Sequence, residues 1–296
     1  MIRIYAVAGF IAFFSSSCER AIKFNLNKSN PQLVVDGSIE NDKYPVVVLS
    51  NSLDYFSQIT PEILSQSFVH KAGIFVSNGT DTVQLKEYSS LADSNGDRIY
   101  YYTVDSAYLA STFKGGFLGS YSLRIVVNGQ TYTAQTTIPA LTKKIDSLWY
   151  KNAASNSNPE NVILMAKITD PPGYGNYIRY FTSENNGLFY PGLNSVFDDQ
   201  IVDGTTYDIP VDKGVDRNLP IDFANYAFFK RGDTAIVKFC NIDKITYDFW
   251  RTMEYNYQSI GNPFPSPTKT LGNISNNGLG YFGGYGAQYV TLMIPK

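Results

Sequence analysis

Six aspartates lie close together in the second half of the chain: Asp198, Asp199, Asp203, Asp208, Asp212 and Asp216. Carboxylates this dense can do two kinds of chemistry. They can surround Ca²⁺ with oxygen ligands. A pair held ~5–9 Å apart can also cleave a glycosidic bond. Gly204, Pro210 and Gly214 interrupt the run, and Lys213 and Arg217 offset its charge. Solvated loops are therefore the plainer reading. A second oxygen-rich motif is DSNGD, in which Asp93, Asn95 and Asp97 have the spacing that opens a calcium loop. An EF-hand would need Gly and Glu where Arg98 and Val104 stand, so a polar turn is expected.

The other reactive side chains are few. His70 is the sole histidine. One imidazole cannot build a multi-His zinc site, and any Ser-His-Asp or Cys-His scheme would have to use this one. No G-x-S-x-G motif lies near it, so a structural or surface role is expected. Cys240 sits in a strand-like run and reads as a small apolar filler rather than a reactive thiol. The tail GNISNNGLGYFGGYG (272–286) has the glycines of a phosphate cradle but lacks the Lys-Ser/Thr ending of a P-loop. Tight turns are expected there. Tyr281, Phe282 and Tyr285 are its candidate ligand contacts, because rings give large contact area with few rotors. No catalytic residue and no cofactor is expected. The enzyme alternative reduces to a hydrolase using Asp198–Asp216.

The amino terminus reads MIRIYAVAGFIAFFSSSC. Arg3 gives a short positive region, and Ile4 to Phe14 are apolar. As a helix this stretch reaches only ~16 Å, against a hydrocarbon core of ~30 Å. It is therefore a signal-peptide core rather than a spanning anchor. Ser15, Ser16 and Ser17 lead directly to Cys18, which resembles a bacterial lipobox. The departure is Ser16, with Phe14 and Ser15 where an upstream Leu is usual. Relaxed boxes of this kind are common in Bacteroidetes lipoproteins. An ordinary secretory signal with an incidental Cys is the alternative. The chain has two cysteines, so acylation of Cys18 leaves Cys240 without a disulfide partner. Acyl chains hold a protein on a membrane at ~0.8 kcal/mol per buried CH₂.

Composition narrows the classes further. Apolar residues make up 44% and charged residues 17%, which is globular rather than disordered. The chain has 23 Tyr and 19 Phe but 4 Met, a bias toward pleated, half-buried surfaces. The formal charge of −2 offers no basic field, so nucleic acid is not an expected partner. At ~100–200 residues per domain, 296 residues suggest two domains.

The pattern of elements gives their kind. QLVVDGSI (32–39), PVVVLS (45–50), AGIFVS (72–77), TVQLKEY (82–88) and IYYYTV (99–104) alternate like strands. So do SYSLRIVV (120–127) and QTYTAQTTI (130–138). Asn78-Gly79 and Asn128-Gly129 read as hairpin turns. An immunoglobulin-like β-sandwich is expected over 32–140. Beyond it, IDSLWY, VILMAKITD, YIRYFT, DTAIVKFCNI and AQYVTLMI are further strands. One helix is expected near 243–258, capped by Asp243 and facing inward through Ile245, Phe249, Met253 and Tyr257, with Trp250 broadening that face. The expected fold class is all-β. The expected domains are a leader (1–17), a polar tether (18–31), the first sandwich, and a β-rich sandwich or barrel with that helix (141–296).

These features together resemble one family. Cys18-Glu19, QLVVDGSI followed by PVVVLSNS, the SYSLRIVVNGQTYTAQTTIP hairpin, IDSL at 145–148 and the run 262–289 resemble DUF4249, uncharacterised Bacteroidetes lipoproteins. The resemblance implies an outer-membrane, lipid-anchored protein, on the cell surface or the periplasmic face. It further implies a non-enzymatic accessory or binding subunit beside a TonB-dependent receptor in nutrient uptake. A surface glycan-binding or adhesin module is the alternative. The expected partners are the membrane, through the lipid, and that receptor.

Cys18→Ala should abolish membrane retention. The variant is expected in the aqueous phase of a detergent phase-separation assay; a variant that stays in the detergent phase refutes the anchor.

Overall fold

Leu33, Val35 and Ile39 turn into a core while Val34, Asp36 and Ser38 face the other way, so β1 (Leu33–Glu40) is two-faced from its first residue. The computed structural model describes residues 30–53, 60–91, 98–154, 156, 158–260 and 268–296. The leader, Cys18 and Asp93, Asn95 and Asp97 lie outside the described residues.

The first half continues with β2 (Val46–Asn51), a short helix α1 (Pro61–Ser67), β3 (Gly73–Ser77), β4 (Thr82–Ser89) and β5 (Tyr100–Val104). A 3₁₀ turn (Ser106–Ser111), β6 (Ser120–Val127) and β7 (Gln130–Thr137) complete it. The β6–β7 hairpin turns on Asn128 and Gly129, both at positive φ (50° and 74°), as its sequence demands. The β3–β4 connection is longer than the two-residue turn expected. There the Asn78 side chain accepts from Thr80 and Asp81 instead. Thr60 caps α1, accepting from the Ile63 amide.

The second half contains β8 (Lys144–Asn152), β9 (Asn161–Thr169), β10 (Tyr177–Glu184), β11 (Tyr190–Phe197) and β12 (Thr206–Val211). It ends with β13 (Phe229–Lys230), β14 (Thr234–Ile242), helix α2 (Lys244–Ser259) and β15 (Leu279–Met293). The fold is all-β in two sheets. Among the described residues the larger sheet has 11 strands, ordered β11-β10-β14-β15-β1-β2-β5-β4-β3-β6-β7. The smaller joins β8, β9, β12 and β13.

The strand order shows why β15 matters. It pairs with β1 in parallel, Val34 opposite Leu279 through Glu40 opposite Tyr285. On its other side it pairs antiparallel with β14. One sheet thus runs through both halves of the chain. In the first half it bends over, so that Val35, Leu49, Ile74, Leu123, Ile125 and Phe282 share one core. In the second, the small sheet lies against β10 and β14, and Leu164, Ile168, Ile178, Val237 and Phe239 fill the space between. That is sheet on sheet, the sandwich rather than the barrel.

The glycine-rich tail makes one turn, Ser275–Gly278, and from Leu279 on it is strand rather than the tight turns expected. Several of its glycines lie against another backbone. A Cβ on Gly280 would stand 1.9 Å from the Val35 carbonyl oxygen, and one on Gly284 2.4 Å from that of Thr137. Gly280 also has φ +92°, open only to glycine at low cost.

Asp243 caps α2 as expected, accepting from the Thr246 amide. Of the inward face expected, Phe249 is buried, but Ile245 and Met253 are exposed, and Thr246, Tyr247, Thr252 and Glu254 are buried instead. The reason lies in the surface that α2 covers. That face of the sheet is polar, so the helix meets it with polar groups and rings rather than an aliphatic stripe.

Gly280→Ala should destabilise the fold by at least about 2 kcal/mol, from left-handed strain plus the clash with Val35. Urea denaturation measures it; a loss below ~0.5 kcal/mol contradicts the crowding argument.

Candidate functional site

Cross-strand neighbours share a face, so the pairing decides what converges. On the α2 side of the large sheet, β1 presents Asp36, Ser38 and Glu40, and β15 presents Tyr281 and Tyr285. On that side β14 presents Lys238, and β10 presents Arg179 and Phe181. Trp250 of α2 and the loop carrying Asp216 and Arg217 wall an open cavity of about 660 Å³ over them.

Arg179 is the centre of this cavity. It is 3% exposed. Its guanidinium lies 3.3 Å from the centre of the Trp250 ring and 4.6 Å from that of Phe181. Such stacking fixes the plane of the fork. Nε donates to Ser195 Oγ (3.2 Å) and Nη1 to the Tyr285 hydroxyl (3.1 Å). Among the described residues no carboxylate is within ion-pair distance of it. Buried charges are usually paired, so this one is unusual.

The hydroxyls beside it have a forced direction. Tyr285 accepts from Arg179 and from Trp250 Nε1 (3.0 Å), which uses both its lone pairs. Its own proton therefore goes to Tyr281, 3.2 Å away. That leaves the Tyr281 proton for Asp36. Asp36 is accessible inside the cavity yet surrounded by protein. Burial pushes its carboxyl above the usual range, and Tyr281 and Arg179 only partly offset this.

The charges on Glu40, Lys238, Arg217 and Glu254 are paired. Burial alone would raise Glu40, but Lys238 (2.5 Å), Lys43 (2.8 Å) and the Tyr289 hydroxyl (2.6 Å) hold it below the usual carboxylate range. Glu254 ties α2 to β11. It accepts from the Ser195 amide (2.9 Å) and hydroxyl (2.5 Å) and pairs with Arg217 (2.8 Å). The site therefore offers one guanidinium without a carboxylate partner, one acceptor carboxylate and aromatic walls, groups able to hydrogen-bond and stack on a polar guest. Cys240 beneath it is buried, and burial pushes its thiol to about 12.

The tail candidates divide between two faces. Tyr281 and Tyr285 line the cavity through their hydroxyls, while Phe282 is fully buried in the first core. The six aspartates also divide. Asp216 lines the polar cavity, whereas Asp198 and Asp212 line a second, apolar cavity of about 650 Å³ between the two sheets. Asp208 is exposed on β12. Asp199 and Asp203 meet Asp170, one oxygen of each lying within 4.8 Å of the others. A metal could use such a trio, but the buried Lys143 ammonium already stands 2.8 Å from Asp170. Amides of Gly173, Gly175, Asn176 and Gly204 donate to the same carboxylates. The cluster thus clasps the 171–176 loop. His70 pairs with Glu87 at the surface and sits edge-on to Tyr100, far from any nucleophile motif.

Arg179, Lys238, Asp36 and Glu40 were not marked by spacing. Their one signal is polarity on alternate positions of otherwise apolar strands. Trp250 was marked, but only as part of the inward helix face.

The family model described as a domain of unknown function, DUF4249, matches residues 19–289. The chain belongs to the DUF4249 family. No curated protein matches it. Every residue lining either cavity lies inside the DUF4249 match.

Asp36 gives a signed pH dependence. Between the ordinary carboxylate value and its raised one, the unfolded chain is ionised there and the folded chain is not. Its contribution to stability therefore falls as pH rises through that window. Asp36→Asn should melt higher than wild type near pH 7, with the gap closing near pH 3. Equal melting temperatures near neutrality would refute the raised value.

Proposed function

We propose that this protein is a lipid-anchored, non-enzymatic binding subunit of the outer membrane that serves a TonB-dependent receptor in nutrient uptake. The polar cavity under α2 is where it holds a small polar solute. The observation that carries the binding reading is Arg179: a buried, ring-stacked guanidinium that opens on the cavity with no carboxylate of its own. A guanidinium fork is suited to planar oxygen groups, and Asp36 and the tyrosine hydroxyls supply further polar contacts. Asp36 supports the same reading, because a group kept at a cost to stability is typical of a binding site. The anchor rests on the Cys18 leader, and the receptor on the setting that the family resemblance implies.

Co-purification tests the partnership. The tagged lipoprotein, extracted natively in mild detergent, should bring a TonB-dependent receptor with it in mass spectrometry. Repeated recovery without any receptor overturns the accessory role.

A further inference from the structure

The second cavity has the opposite chemistry and does not depend on the reading above. We propose that the space between the two sheets binds an amphiphile: an apolar body carrying a cationic amine head.

Its walls are aliphatic and aromatic. Ile145 and Ile168 come from the small sheet, Ile178, Val237 and Phe239 from the large one, and Ile209 from β12. Water against such walls finds few hydrogen-bond partners, and an apolar guest binds by the area it removes from water. The mouth is apolar as well. Phe197 and Ile201 line the cavity yet are 45% and 95% exposed. Exposed rings and branched chains at an opening suit the entry of a greasy molecule.

The charged groups at the cavity select the head. Asp198 and Asp212 both line it. Asp198 accepts from the Tyr247 hydroxyl at 3.1 Å. Asp212 makes no hydrogen bond among the described residues, and burial raises its carboxyl. Its neighbour Lys213 pairs with Glu184 instead. A partly buried carboxylate against apolar walls favours a donor that also brings positive charge. An ammonium head beside Asp212 supplies both, whereas a carboxylate head there would meet a like charge.

The test uses the purified full chain and a neutral fluorescent probe, N-phenyl-1-naphthylamine, displaced by C12 amphiphiles below their micelle concentrations. Probe binding should saturate. Dodecylamine should displace it at a concentration at least about tenfold lower than dodecanoate. Asp212→Asn should erase most of that preference and leave displacement by dodecanol unchanged. Its melting temperature should not fall, since a desolvated charge is removed. Ile201→Arg, on the exposed mouth, should weaken probe binding without altering the fold. Unsaturable probe binding, equal displacement by amine and carboxylate, or an unchanged preference in Asp212→Asn each overturns the proposal.

Discussion

The pairing of β15 with β1 on one side and β14 on the other is the interaction on which the rest depends. It puts the first described strand beside the last and makes one sheet of both halves. The same strand sends Phe282 into the first core and Leu292 against the second. Its other face sends Tyr281 and Tyr285 into the polar cavity. The close backbone contacts at Gly280 and Gly284 are the condition for all of this, since any side chain there would push the strands apart.

The two cavities follow from the period of a strand. Successive residues of β10 and β14 face opposite ways. Ile178, Val237 and Phe239 line the apolar space between the sheets, while Arg179 and Lys238 reach the polar space under α2. One pair of strands therefore walls two chemically opposite sites, separated by a single sheet. A change in register would exchange their linings. The bulge between Arg179 and Phe181 lies on the β11 side, so the pairing with β14 stays regular.

Much of the fold was legible because it rests on local pattern. Alternation located most strands to within a residue or two, and Asn128-Gly129 and Asp243 marked a turn and a cap. What was missed depends on distant neighbours. Tail glycines look like turns until Val35 and Thr137 are placed against them. Ile245 and Met253 were placed on the inward face of α2 because they keep helical spacing with Phe249 and Tyr257. The surface it covers is polar, and that surface is assembled from residues about 200 positions apart. The polar cavity was hidden for the same reason. Tyr281, Tyr285, Asp216 and Trp250 were each named in advance, but on separate grounds and never as one site.

Placing β15 at the centre also sets the order in which the molecule can be completed. β1 and β14 have no partner on their facing edges until β15 arrives. Contacts this far apart in sequence slow folding. Until they form, two open strand edges are exposed to other chains.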